Sequence, residues 1–270
     1  MKKLIAIILL CAVQSYATDV VLGTYSELTN WIASATDRIA QFGAAGGAPP
    51  AVWDTNLICS LYWSNQTESV TGFYADVSGW GNHGGQDDPT RIPAWTNAPG
   101  PSLIFDGVDD QVRMTNTIGT TSITVMVWAK PYSVTGEKDI FNSTDWYGTK
   151  GLSLNIYNGN VGFGIATPSW HYIVSSATVT NGGSYFLVGV YDGATIHIYL
   201  DGVEIAASAC TGAMVTPDLQ CMRLGVFTDA THTGNYNQFS GELGPFNYYF
   251  RALSSNEQYS AFTSSASTWK

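Results

Sequence analysis

The chain has 270 residues, of which 45% are hydrophobic, 13% aromatic and only 12% charged, with 28 glycines and a formal net charge of −10. That composition suits strands joined by tight turns and supplies enough apolar material for one core without help from a metal or a disulfide framework. The negative charge, with no basic stripe to offset it, argues against a nucleic-acid partner, because phosphates would be repelled.

Met1-Lys2-Lys3 and the apolar run Leu4 to Val13 lead into Ser15-Tyr16-Ala17, which sets small residues where a signal peptidase needs them. Residues 1–17 therefore read as a signal peptide, and the mature chain is expected to be secreted, extracellular or at the cell surface, with a bacterial periplasm compatible as well. The apolar run is too short to cross a bilayer, which takes roughly 20 residues, and no later stretch is long enough, so no transmembrane segment is expected. In residues 18–50, Thr24 and Glu27 form a capping-box pattern, and Leu28, Trp31, Ile32, Ala35, Ile39 and Phe42 recur at helical spacing. One amphipathic helix is expected there, followed by a linker from Gly43 to Pro50. It would pack on the rest of the chain or serve self-association.

From about Leu57 the period changes to two. Ile123, Val125, Val127 and Ala129 alternate with Thr124, Met126 and Trp128, and Leu152, Leu154 and Ile156 alternate with Ser153, Asn155 and Tyr157. Asn158-Gly159 predicts a hairpin between that strand and the one carrying Val161, Phe163 and Ile165, since both turn positions need positive φ. Asp192-Gly193 and Asp201-Gly202 bracket a further strand. The spacing of these turns predicts an all-β domain over residues 51–265, a two-sheet antiparallel β-sandwich of jelly-roll type. Of the mature cysteines, Cys210 and Cys221 would close a short loop as a disulfide in an oxidising compartment, and Cys59, inside Leu57 to Trp63, reads as a buried small hydrophobe.

Five phrases carry a family resemblance. Tyr74 to Gly84 resembles a "D-x-S-G-x-G-N" turn, Leu103 to Val112 an "F-D-G-x-D-D-x-V" segment, and Ile123 to Lys130 an "F-T-x-x-x-W-x-K" strand. Tyr185 to Val203 resembles a "Y-x-x-V-x-Y-D-G" hairpin, and Phe239 to Glu257 a closing "F-x-G … R-A-L-S-x-x-E" segment. In this order they resemble the laminin G-like, concanavalin A-like jelly rolls and, more distantly, the pentraxins. That fold carries lectins, adhesion modules and some enzymes, so function must be argued from a site.

The hydrolysing relatives use a strand reading "E-x-D-x-x-E". Here Glu137-Lys138-Asp139-Ile140-Phe141-Asn142 has an amide in the third place, which would leave a glycosidase without its acid/base, and the segment reads as a solvated turn leading into a strand. No other nucleophile or metal-hydrolase motif is present, so no catalytic residue is assigned and no enzyme is expected. The pentraxin resemblance implies calcium held by two loops. Each retains one carboxylate, Asp145 and Asp229, which leaves room for a single calcium ion and requires none. The same loops place Trp146 and Tyr147 beside Asp145, and His232 and Tyr236 after Asp229, a set of rings and polar groups suited to a sugar. Asp145, Trp146, Tyr147, Asp229, His232 and Tyr236 are therefore the candidate ligand-binding residues, with a glycan or cell-surface ligand as the expected partner. Trp80, Asn82 and Trp95 form a second candidate group. The clusters Asp106/Asp109/Asp110 and Asp76/Glu242 read as turn and structural chemistry.

Overall fold

The period-two segments pair into two antiparallel sheets. In a computed structural model, which describes residues 56–63, 70–114, 121–145, 148–216, 222–228 and 234–270, the first sheet runs in spatial order Val203–Ala209, Thr195–Leu200, Tyr185–Tyr191, Ile123–Pro131, Ser240–Tyr249, Ser102–Asp106 and Ala94–Thr96. Leu57–Leu61 also pairs with Ser240–Tyr249. The second sheet runs Ser169–Thr178, Asn160–Thr167, Leu152–Tyr157, Glu137–Asn142, Arg223–Leu224, Val112–Met114, Gly84–Gly85 and Phe73–Tyr74. The fold is thus the expected all-β sandwich. The segments expected over residues 1–17 and 18–50 lie outside the described residues.

Between the sheets, Ile123, Val125, Val127 and Ala129 meet Leu152, Leu154, Ile156, Phe163 and Ile165, all fully buried. Each such aliphatic or Phe side chain contributes about 1.5–3 kcal/mol by leaving water. The hairpin turns fall where the sequence placed them. Asn158 and Gly159 both adopt positive φ and pair Tyr157 with Asn160, and Asp201-Gly202 repeats the device. At the Asp192 turn, the carboxylate accepts from the Ala194 and Thr195 amides.

Two expectations are corrected, and one element is added. Glu137–Asn142 is a strand, not a solvated turn: it pairs along its length with Leu152–Tyr157, and its end, Phe141 and Asn142, pairs as well with Arg223–Leu224. Cys210 is a free, buried thiol with Sγ 3.2 Å from Thr167 Oγ1, so no Cys210–Cys221 disulfide closes in the structure, and Cys221 itself lies outside the described residues. Cys59 is likewise a free, buried thiol. Finally, the closing segment turns into a helix, Ser255–Trp269, which runs past the expected domain end at 265. It starts at a capping box in which Ser254 and Glu257 satisfy each other's backbone amides. Its apolar side covers the outer face of the first sheet, where Met126, Trp128, Phe186 and Val188 form a second buried cluster with Leu253 and Trp269.

Candidate functional site

The outer face of the second sheet is polar, and its register explains why. Leu152, Leu154 and Ile156 point inward, so Ser153, Asn155 and Tyr157 point outward. On the neighbouring strand a bulge between Asp139 and Phe141 sends both Ile140 and Phe141 into the core. Asn142 is thereby returned to the face that Asp139 occupies, and its Nδ2 donates to Asp139 Oδ1 at 3.2 Å. On the other side, the outward positions of Asn160–Thr167 include Gly162 and Gly164, and the edge strand beyond carries Trp170 and Tyr172 two residues apart.

These glycines make room for the rings. A Cβ on Gly162 would sit 2.2 Å from the Tyr172 hydroxyl, and one on Gly164 would sit 2.3 Å from the Trp170 ring, so neither position admits a side chain without moving the aromatic above it. Trp170 and Tyr172 lie nearly parallel, 14° apart with centroids separated by 6.4 Å, and each is 37% exposed. From Tyr172 a chain of hydrogen bonds crosses the sheet. Its hydroxyl donates to Asn155 Oδ1 at 2.9 Å, and Asn155 Nδ2 donates to Glu137 Oε1 at 2.7 Å.

Two carboxyl groups end this row, and both are perturbed. Burial raises Glu137 above the usual carboxylate range, against the pull of Asn155 and Asn237. Asp139 is only 1% exposed; burial first, then the charge of Glu137, pushes it up to about 7, although the Asn237 and Asn142 amides favour its ionised form. Asp139 Oδ2 is left without a hydrogen-bond partner among the described residues. Burial also pushes the Tyr172 phenol up to about 12, so it stays a donor at neutral pH. The face therefore presents two half-exposed rings, a hydroxyl and the Glu137 carboxyl, backed by the buried Asn155 amide and Asp139 carboxyl.

Both loops singled out in the sequence border this face. Gly148, closing the Asp145 loop, lies against the Trp170 ring, since a Cβ there would approach it to 3.2 Å. Asn237, next to Tyr236, accepts from the Asp139 amide at 2.8 Å and acts through its side chain on both carboxyls. Tyr236 is 40% exposed and packs on Phe227, with centroids 6.0 Å apart. Asp145 is buried, and its carboxylate accepts from the Thr149 amide at 2.7 Å and from the Thr149 hydroxyl, so both oxygens hold the loop. Trp146, Tyr147, Asp229 and His232 lie outside the described residues. A calcium ion would need Asp145 oxygens that Thr149 already occupies, so the described half of that site does not fit the ion.

The second candidate group is not a site of one kind. Trp80, 60% exposed, tips a turn, whereas Asn82 is buried, its backbone N–H donating to the Asp76 carboxylate and its Nδ2 to the Ile58 carbonyl, and Trp95 Nε1 donates to the Trp63 carbonyl. Asp76 accepts as well from Ser60 and Ser78, a structural knot, while Glu242 accepts from Lys130 and Tyr132. The oxygens of Asp106, Asp109 and Asp110 lie within 4.8 Å of one another, but Asp106 and Asp110 accept from the backbone of their own turn. A recess of about 360 Å³ opens on the first sheet beside Asp192, His197 and Glu257. Its acids are engaged: Asp192 holds its turn, and Glu257 is held by Arg251 and the helix cap.

Trp170 and Tyr172 were missed by sequence reasoning. The signal was there: in Ser169-Trp170-His171-Tyr172 the period-two rule puts both rings on one face, opposite glycines that also alternate.

Residues 106–257 match the family model described as the concanavalin A-like lectin/glucanases superfamily. Among solved structures, the binding domain of Paraclostridial mosquitocidal protein 1 superposes with a TM-score of 0.61 at 16% identity, covering 79% of this chain and 53% of that one. The binding domain of botulinum neurotoxin serotype G gives 0.58 at 12%, covering 77% and 51%. The serotype D ligand-binding domain in complex with N-acetylneuraminic acid gives 0.53 at 15%, covering 77% and 50%. The chain thus spans about half the length of the structures it matches, and at these identities the likeness is one of fold. No curated protein sequence matches the chain.

Proposed function

Since the chain belongs to the concanavalin A-like lectin/glucanases superfamily, we propose that it is a secreted, non-catalytic module that binds carbohydrate on the outer face of its second sheet. The observation that carries this reading is the pair Trp170 and Tyr172, held half-exposed over Gly162 and Gly164 beside a row of amide and carboxyl groups. Flat rings accept the C–H face of a sugar, and fixed polar groups at their edge select its hydroxyls. Similar folds serve as binding domains, one of them solved with N-acetylneuraminic acid. Secretion is supported by the signal-like residues 1–17, and no helix among the described residues is long and apolar enough to cross a membrane.

The non-catalytic part of the proposal rests on Asn142. It stands where the hydrolysing relatives carry a third carboxylate, and its amide is committed to Asp139, so the acid/base those relatives hold at this position has no counterpart there.

Glycan arrays followed by titration calorimetry test the reading. A glycan that binds the mature chain should bind about tenfold or more weakly to a Trp170→Ala, Tyr172→Ala double variant. Titration with and without a chelator tests whether binding depends on a calcium ion, which the Thr149 bonds to both Asp145 oxygens argue against. No binding to any glycan, or binding untouched by the double variant, overturns the proposal.

A further inference from the structure

We propose that this face selects a sugar carrying a free amino group, whose ammonium docks on the Glu137–Asp139 pair while the rings of Trp170 and Tyr172 hold the sugar. The inference rests on the binding reading above and names the ligand class for the same site. Its basis is geometric. Glu137 and Asp139 lie two residues apart on one strand and on one face, and their side-chain partners among the described residues are the neutral amides of Asn155, Asn237 and Asn142. Asp139 is buried with one oxygen unpartnered among the described residues.

The ionisable groups around the pair do not supply a counter-charge. On the same strand Lys138 is paired with Ile156, in the row that faces inward. The next strand contributes Tyr157, and the edge strand Tyr172, whose hydroxyl donates to Asn155 rather than to the pair; neither side chain is a cation. On the other side Arg223 is paired with Asn142 and donates to the Met222 carbonyl, and the charge that acts on Asp139 is that of Glu137. A buried acid beside a half-buried one is relieved either by keeping one proton or by meeting a cation. An ammonium that meets Glu137, the more accessible of the two, provides the second route, its positive charge set directly above the buried Asp139.

The proton balance follows. Without ligand the pair keeps one proton; when the ammonium enters, that proton leaves Asp139 for the buffer, and the ligand's positive charge takes its place. Binding of an amino sugar should therefore release a proton and tighten as the pH rises towards neutral, whereas binding of a neutral sugar should do neither. A carboxylated or sialylated sugar would bring a third negative charge and should be rejected.

The test compares linear oligomers of glucosamine, N-acetylglucosamine and glucose, with sialyllactose as the anionic probe, by calorimetry at about pH 6 in two buffers of different ionisation heat. The glucosamine oligomer is expected to bind about tenfold or more tightly than the glucose oligomer, with proton release visible as a buffer-dependent heat. In Glu137→Gln and Asp139→Asn, each checked for folding by circular dichroism, the preference for the glucosamine oligomer over the glucose oligomer should shrink and the buffer-dependent heat should disappear. Equal binding of all three oligomers, or tightest binding of sialyllactose, overturns this inference and leaves the binding reading standing. If none of the probes binds and arrays also find no glycan, the binding reading falls and this inference with it.

Discussion

The two outer faces of the sandwich use one packing device for opposite ends. On the first sheet Trp269 lies over Gly244, where a Cβ would approach its ring to 2.2 Å; on the second, Trp170 lies over Gly164 in the same manner. Over the first, the helix Ser255–Trp269 closes the face: Trp269 stacks on Trp128 at 5.5 Å and 10°, and Trp128 Nε1 donates to Ser265 Oγ at 2.9 Å. On the second the rings remain half-exposed beside polar groups. An aromatic laid on a glycine is thus neutral as to role, and what decides between lid and site is whether its far side meets apolar side chains or water.

The comparison makes its largest prediction at the two tryptophans. Trp128→Ala should cost about 3–5 kcal/mol of stability in urea unfolding, because it empties the sealed cluster. Trp170→Ala should cost within about 1 kcal/mol, its loss falling on glycan binding instead. Equal losses of stability would mean that the second face is also structural.

Next in size is Asp139. Its folded pKa is raised to about 7, from an ordinary value of 3.8, so between those values the folded chain binds the extra proton. Stability from this group is full below the ordinary value and is lost as pH rises to about 7. Asp139→Asn removes that loss, and the variant should be more stable than the parent at neutral pH, by on the order of 2 kcal/mol, with a flatter profile of melting temperature against pH. A parent protein that gains stability across that window would remove the case for a strained acidic pair. A smaller effect is expected of Gly164→Ala, about 1–2 kcal/mol, since the new Cβ must push the Trp170 ring off the sheet. Glycan binding should fall along with it, and binding kept intact would show that the ring's seat is immaterial.

How much of this could be read from the sequence depended on range. Hairpin turns such as Asn158-Gly159 are local, and period-two runs declare which side chains meet the opposite sheet, so the sandwich was legible. The helix over the first sheet was not foreseen, although Met126 and Trp128 already made Ile123–Pro131 apolar on both faces, the pattern of a strand covered on both sides. The site was legible only in part. The carboxyls Glu137 and Asp139 were noticed and then assigned to a turn, because Lys138 interrupts the apolar alternation and the bulge after Asp139 breaks the period that would have marked a strand. Trp170 and Tyr172 needed the knowledge that glycines face them from the next strand, a pairing no local pattern states.

The smallest effect expected is at the start of the covering helix. Ser254 accepts from the Glu257 amide while Glu257 accepts from the Ser254 amide and hydroxyl and from Arg251, at 2.7 Å for the shorter guanidinium contact. The Arg251 bond first, then the Ser254 bonds, hold the Glu257 carboxyl at about 2, so this contribution is present above the ordinary glutamate range and is lost as pH falls towards that value. Ser254→Ala should cost about 1 kcal/mol. Because the helix closes one face only, the loss should appear in unfolding and leave binding at Trp170 and Tyr172 unchanged. If glycan binding fell as well, the two outer faces would be coupled through the core, and the division of labour between them would have to be given up.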